Sequence, residues 1–175
     1  MENLKKSIFA IIPNMFTISN LLLGLVSIIF ANDGKYKEAA VMIIFSGILD
    51  GMDGKVARKL DASSLFGKEL DSLSDLVSFG VAPAILMYEQ ILQKDFGILG
   101  LLVVLLFVTC GALRLARFNV LDISDHFVGI PITAAGGLIA VVSLLSNQIS
   151  HVVIILFMFF LAVLMVSNLK VRKYK

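Results

Sequence analysis

Apolar residues in this chain come in long uncharged runs instead of the three- and four-residue spacing of a half-buried soluble helix. Ser7 to Asn32 carries no charge. After Pro13 that run predicts a first spanning helix ending near Ala31, because about 20 apolar residues cross a hydrocarbon layer of roughly 30 Å. The residues before it mix Lys5 and Lys6 with Leu4, Ile8 and Phe9, which predicts a short N-terminal interfacial helix. The run is too long for a signal peptide and no small-x-small cleavage site follows, so the expectation is a retained first span.

Asn32-Asp33-Gly34-Lys35 reads as a turn, and a second helix starts near Lys37. Its charge-free part, Ala39 to Leu49, is too short to cross alone, so the helix is expected to run on to about Lys59. A third begins near Gly67 and continues to Leu92 with a kink expected at Pro83, and a fourth runs from Phe96 to about Phe118. Phe127 to Leu169 contains no Lys, Arg, Asp or Glu, enough for two helices broken at Ser146-Asn147-Gln148. The expectation is a single all-α integral membrane domain over 1–175 with six transmembrane helices, at about 13–31, 37–59, 68–92, 96–118, 129–146 and 150–168.

Composition agrees: 58% of residues are hydrophobic, 16% are charged and the mean hydropathy is +0.95, beyond what a water-facing surface tolerates. A net charge of +2 without a basic patch argues against nucleic acid. The single Cys110 excludes an intrachain disulfide and reads as a small buried hydrophobe. Of fifteen Lys and Arg residues, all but Lys35, Lys37 and Lys94 fall on one side of the six spans. The positive-inside rule makes that side, with both termini, cytoplasmic.

The polar exceptions to this oily pattern carry the chemistry. Asp50, Asp53, Asp71 and Asp75 lie within twenty-six positions, together with Arg58 and the glycines Gly51, Gly54 and Gly67. At 3.6 residues per turn Asp50, Gly54, Ala57 and Arg58 share a helix face with Asp53 beside it, and Gly67, Asp71 and Asp75 share another. Crowded carboxylates stay ionised together only with a cation among them. Bare glycines open the backbone to a bulky anion, and Arg58 offers the fork that grips phosphate, so the set suits a metal-bridged pyrophosphate. Helix capping explains one Asp and not four. A cation pathway would need acidic groups at depth, and all four cluster at one end. On the first helix, Asn14, Thr17 and Asn20 form a polar stripe. His126 and His151 read as unaccompanied, solvated residues in loop-like positions.

The pattern Asp50-x2-Asp53-Gly54-x2-Ala57-Arg58-x8-Gly67-x3-Asp71-x3-Asp75 resembles, at every fixed position, the signature of the CDP-alcohol phosphotransferases. That resemblance implies a six-helix membrane enzyme, usually a homodimer, using two divalent cations, Mg²⁺ or Mn²⁺. It implies that Asp50, Asp53 and Asp71 ligate the ions, and that Asp75 touches the second ion and serves as general base. It makes Gly54, Arg58 and Ser64 nucleotide and phosphate contacts. Pro13-Asn14-x2-Thr17-x2-Asn20-x3-Gly24 and Arg114-Leu115-Ala116-Arg117-Phe118-Asn119 are similar to the compact prokaryotic members that use CDP-diacylglycerol and L-serine. On that likeness Asn14, Thr17 and Asn20 line the cytidine side, and Arg114, Arg117 and Asn119 bind serine. Alternative acceptors are glycerol 3-phosphate or an inositol compound, and the alternative class is a membrane cation transporter.

Overall fold

The computed structural model describes the backbone of residues 2–59, 64–120, 127–167 and 170–171, and the side chains of 14–52, 64–120 and 129–167. Among the described residues six helical rods follow one another: α1 (Glu2–Asn32), α2 (Tyr36–Lys59), α3 (Leu65–Phe96), α4 (Ile98–Val120), α5 (Ile132–Leu144) and α6 (His151–Val166). Glu2–Asn32 is one uninterrupted helix, so no separate helix precedes the first apolar run. Among the described residues three stretches are long and apolar enough to cross a membrane, Asn14–Asn32, Leu65–Phe96 and Ile98–Val120. The protein is a membrane protein on that ground.

The uncharged tract after Phe127 divides where polar Ser146-Asn147-Gln148 forms a 3-10 turn. Its first helix starts later than the hydrophobic pattern alone suggests. Gly129 takes a left-handed φ of 75° and Pro131, extended, precedes the first helical residue. A side chain at Gly129 would press on the Met165 carbonyl at 2.6 Å. Just before it, Phe127–Val128 pairs antiparallel with Lys170–Val171 in a two-residue ladder.

α3 is the axis of the bundle: 56% of its apolar window is enclosed by protein, against 28% for α1 and 33% for α4. Phe79, Ala82, Leu86 and Met87 are its buried face. Just before Pro83 the helix widens into a π-helical turn over Leu76–Val81, with the Ala82 N–H donating to the Val77 carbonyl. Wide turns of this kind relieve the crowding a proline brings to the preceding turn and often sit at functional sites. Glycines on the neighbours make room for the broadened turn. A Cβ at Gly24 of α1 would lie 2.9 Å from Ser78 Cα, and one at Gly136 of α5 would lie 2.3 Å from the Phe79 carbonyl oxygen. Backbone approach this close is how helices pack when lipid supplies no hydrophobic drive.

Gly136 and its neighbour Gly137 thus give a matched pair, since a Cβ at Gly137 meets nothing within 4 Å. Gly136→Val is expected to destabilise by about 1–3 kcal/mol or more, seen as a lower midpoint of thermal unfolding in detergent. Gly137→Val should change it little. Equal midpoints for the two variants would contradict the backbone contact between α3 and α5.

The helix-one stripe holds α1 to its neighbours. Ser74 donates to the Thr17 carbonyl at 3.0 Å, Ser78 to the Asn20 carbonyl at 2.9 Å, and Ser46 of α2 to Asn20 Oδ1. At the other end of the bundle the structure corrects the reading of His151 as unaccompanied. It is the first residue of α6 and pairs with Asp95 in the last turn of α3, tying the two helix ends together. His126 lies outside the described residues.

Candidate active site

Asp50 sits in the second half of α2, while Asp71 and Asp75 lie one turn apart on the first segment of α3. Ser64 starts that segment: its hydroxyl accepts from the Gly67 N–H at 3.0 Å and caps the helix. The cap fixes where α3 begins and hence which face carries Asp71 and Asp75. Gly67 lets α1 come close to this first turn, because a Cβ there would lie 3.1 Å from Asn14 Oδ1. Asp75 closes the segment immediately before the π turn and is buried, with Asp50 and Asp71 half-buried.

The three carboxylates converge. One oxygen from each of Asp50, Asp71 and Asp75 lies within 4.8 Å of the others, and Asp50 is within hydrogen-bonding reach of Asp75. Oxygen ligands bind Mg²⁺ or Mn²⁺-sized ions at about 2.0–2.2 Å, so donors about 3–4.5 Å apart surround one ion. The donor set therefore fits a hard divalent cation, and like charges this close need a cation or a shared proton between them. Asp53, Gly54 and Arg58 belong to α2 by their backbone, and their side chains lie outside the described residues.

The carboxylates open into a cavity of about 310 Å³. Asp50, Asp71 and Asp75 form one wall, and Arg114, Leu115, Phe118 and Asn119 from the end of α4 form another. Arg114 is half-buried, its charge is close enough to act on Asp75, and its Nε makes no hydrogen bond. A cationic fork facing a carboxylate cluster across a small cavity is suited to an anionic group lying between them. Arg117 is exposed and does not line the cavity. Nor do Asn14, Thr17, Asn20 or Ser64: the last caps α3, and Thr17 and Asn20 are buried where α1 meets α3.

The cavity also contains residues to which the sequence reading assigned no chemical role. Lys68 and Ser72 enter from α3, and Pro131, Ile132 and Thr133 from the start of α5. Lys68 and Ser72 stand inside the acidic motif at its unfixed positions, which is a signal that could have found them. Thr133 follows the Gly129-Ile130-Pro131 turn, whose effect is to bring the α5 start to this end of the bundle.

Comparison with known proteins agrees with this geometry. The family model for CDP-alcohol phosphatidyltransferase matches residues 10–166. A Helicobacter pylori protein named CDP-diacylglycerol–serine O-phosphatidyltransferase is 42% identical over 172 residues, covering 93% of this chain and 72% of its own length. A Mycobacterium bovis protein of the same name is 42% identical over 144 residues, 78% of this chain and 49% of its own. An archaetidylserine synthase from Methanothermobacter thermautotrophicus is 41% identical over 138 residues, 77% of this chain and 58% of its own. With its acidic signature on two facing helices and a family match over most of its length, the chain belongs to the CDP-alcohol phosphatidyltransferase family.

Proposed function

We propose that the chain is a phosphatidylserine synthase, which transfers the phosphatidyl group of CDP-diacylglycerol to the hydroxyl of L-serine and releases CMP. The observation that carries this reading is the convergence of Asp50, Asp71 and Asp75 opposite Arg114 in one small cavity. The similarity to serine-using relatives supports the acceptor.

In this reading Asp50, Asp53, Asp71 and Asp75 hold two divalent cations, Mg²⁺ or Mn²⁺. When bound, these would supply the positive charge that neutralises a pyrophosphate and eases departure of CMP. Asp75 accepts the proton of the serine hydroxyl as its oxygen bonds to the phosphorus carrying the lipid, and the bond from that phosphorus to the CMP oxygen breaks. Arg114 grips the serine carboxylate and holds the hydroxyl toward Asp75. Arg117, exposed at the rim, meets the incoming amino acid or anionic lipid headgroups. Gly54, Arg58 and Ser64, with the nearby Asn14, border the CDP moiety. Thr17 and Asn20 support that wall from within, through their bonds to Ser74, Ser78 and Ser46.

The six rods serve as six spans in the cell membrane, with both termini, the interfacial start of α1 and the aspartate end on the cytoplasmic side. The cation distribution supports that orientation. At 13 and 16 residues, α5 and α6 reach only about 20–24 Å, so their flanking turns complete the crossing. Two copies form a homodimer, as the family resemblance implies.

The test is enzymatic. Purified protein with Mn²⁺ or Mg²⁺ should release CMP from CDP-diacylglycerol only when serine is present. Release with glycerol 3-phosphate and not with serine would overturn the acceptor, and ion flux across liposomes without CMP release would overturn the class. Arg114→Ala is expected to raise the KM for serine about tenfold or more, the value of a charge-assisted bond. An unchanged KM would remove Arg114 from the serine site.

A further inference from the structure

Asn119, near the end of α4, lines the cavity and also reaches across to α3. Its Nδ2 donates to Ser72 Oγ at 3.0 Å and to Glu69 Oε2 at 3.2 Å. The Ser72 hydroxyl lies 3.1 Å from the Lys68 carbonyl and 3.4 Å from Asn119 Oδ1. It has one proton. Donated to the nearer Lys68 carbonyl, it leaves the Ser72 lone pairs for Asn119, so both amide protons and the hydroxyl are used at once. The amide orientation is fixed by Glu69, since only Nδ2 can donate to a carboxylate.

The positions joined by this bridge are the ones whose spacing matters. Ser72 follows Asp71 directly and stands three residues before Asp75, while Asn119 stands five residues after Arg114. The Leu65–Asp75 and Ile98–Val120 segments are not among the closely packed pairs of the bundle. A polar link between them therefore has leverage on the width of the cavity that closer packing would otherwise remove.

We propose that Asn119 is a positioning residue: with Ser72 and Glu69 it forms a clasp that holds Arg114 at a fixed distance from Asp71 and Asp75. The inference rests on the reading of this cavity as the transfer site. It departs from the expectation that Asn119 binds serine, because both of its donors are engaged by protein. A clasp acts on the alignment of acceptor and base, where misplacement by about 1 Å costs up to about a hundredfold in rate.

The test exchanges the donor and the acceptor. Asn119→Asp sets a second carboxylate against Glu69 and breaks the bridge, and adding Glu69→Gln restores one with the polarity reversed, Gln donating to Asp. With CDP-diacylglycerol, serine and Mn²⁺, Asn119→Asp should lower kcat about tenfold or more while changing the KM for serine less than about twofold. The double variant should recover to within about threefold of the parent. A double variant as slow as the single, or a raised serine KM with kcat intact, overturns the clasp. The same proteins, with Glu69→Gln alone to complete the cycle, can be read by thermal unfolding in detergent, which needs no turnover. There the single Asn119→Asp midpoint should fall and the double recover, and independent, additive shifts overturn the proposal. A parent that releases no CMP would instead remove the functional reading, with the unfolding cycle still deciding whether the clasp exists.

Discussion

Asp75→Asn is expected to lower turnover by about 10²–10⁴-fold while leaving CDP-diacylglycerol binding close to that of the parent. The side chain is buried between two anchored neighbours, Ser74 bonded to the Thr17 carbonyl and Ser78 to the Asn20 carbonyl. An isosteric amide there leaves α3 in place and keeps one oxygen toward Asp50 and Asp71. It removes the group able to take the acceptor's proton. Single-turnover CMP release, set beside a binding titration with CDP-diacylglycerol, separates the two effects. Loss of binding as the main defect would make Asp75 a structural or substrate ligand and leave the base unidentified.

The second large effect is dependence on divalent cations. In a chelator, CMP release should fall to background, and added Mn²⁺ or Mg²⁺ should restore it. Asp71→Ala, which leaves only Asp50 and Asp75 of the three convergent carboxylates, should need a much higher cation concentration for any residual rate, on the order of tenfold or more for a lost charged ligand. Helix α3 should survive the change, because its start is set by the Ser64 cap and its packing by Ser74 and Ser78. Full activity in the chelator would refute the role given to the aspartates.

The acidic site was legible in the sequence because helical periodicity is strict. Spacings of four residues placed Asp71 and Asp75 on one face, and the charge-free length of α2 demanded that Asp50 lie at the same end. Asp53 and Arg58 extend the same pattern, outside the described side chains. What periodicity does not carry is which of two residues on a face reaches inward. Arg114 and Arg117 are one turn apart, yet only Arg114 lines the cavity with Leu115, Phe118 and Asn119, because three residues fall short of a full turn and set Arg117 on the flank away from them. The π turn over Leu76–Val81 had no signal beyond Pro83, since its width depends on Gly24 and Gly136 of other helices. The Asp95–His151 pair was within reach of sequence reasoning: one ends the third helix and the other begins the sixth, at the same end of the bundle. Asn119, expected from the motif as a serine contact, lines the cavity, but its partners Ser72 and Glu69 depend on an approach of α3 to α4 that no spacing encodes.

The most direct test of the shared cation site is a crystal of the protein grown with Mn²⁺ and measured for anomalous scattering. The account predicts a peak ligated by Asp50, Asp71 and Asp75 beside the Arg114 cavity. Ordered aspartates turned toward separate surroundings, with no anomalous signal among them, would contradict it.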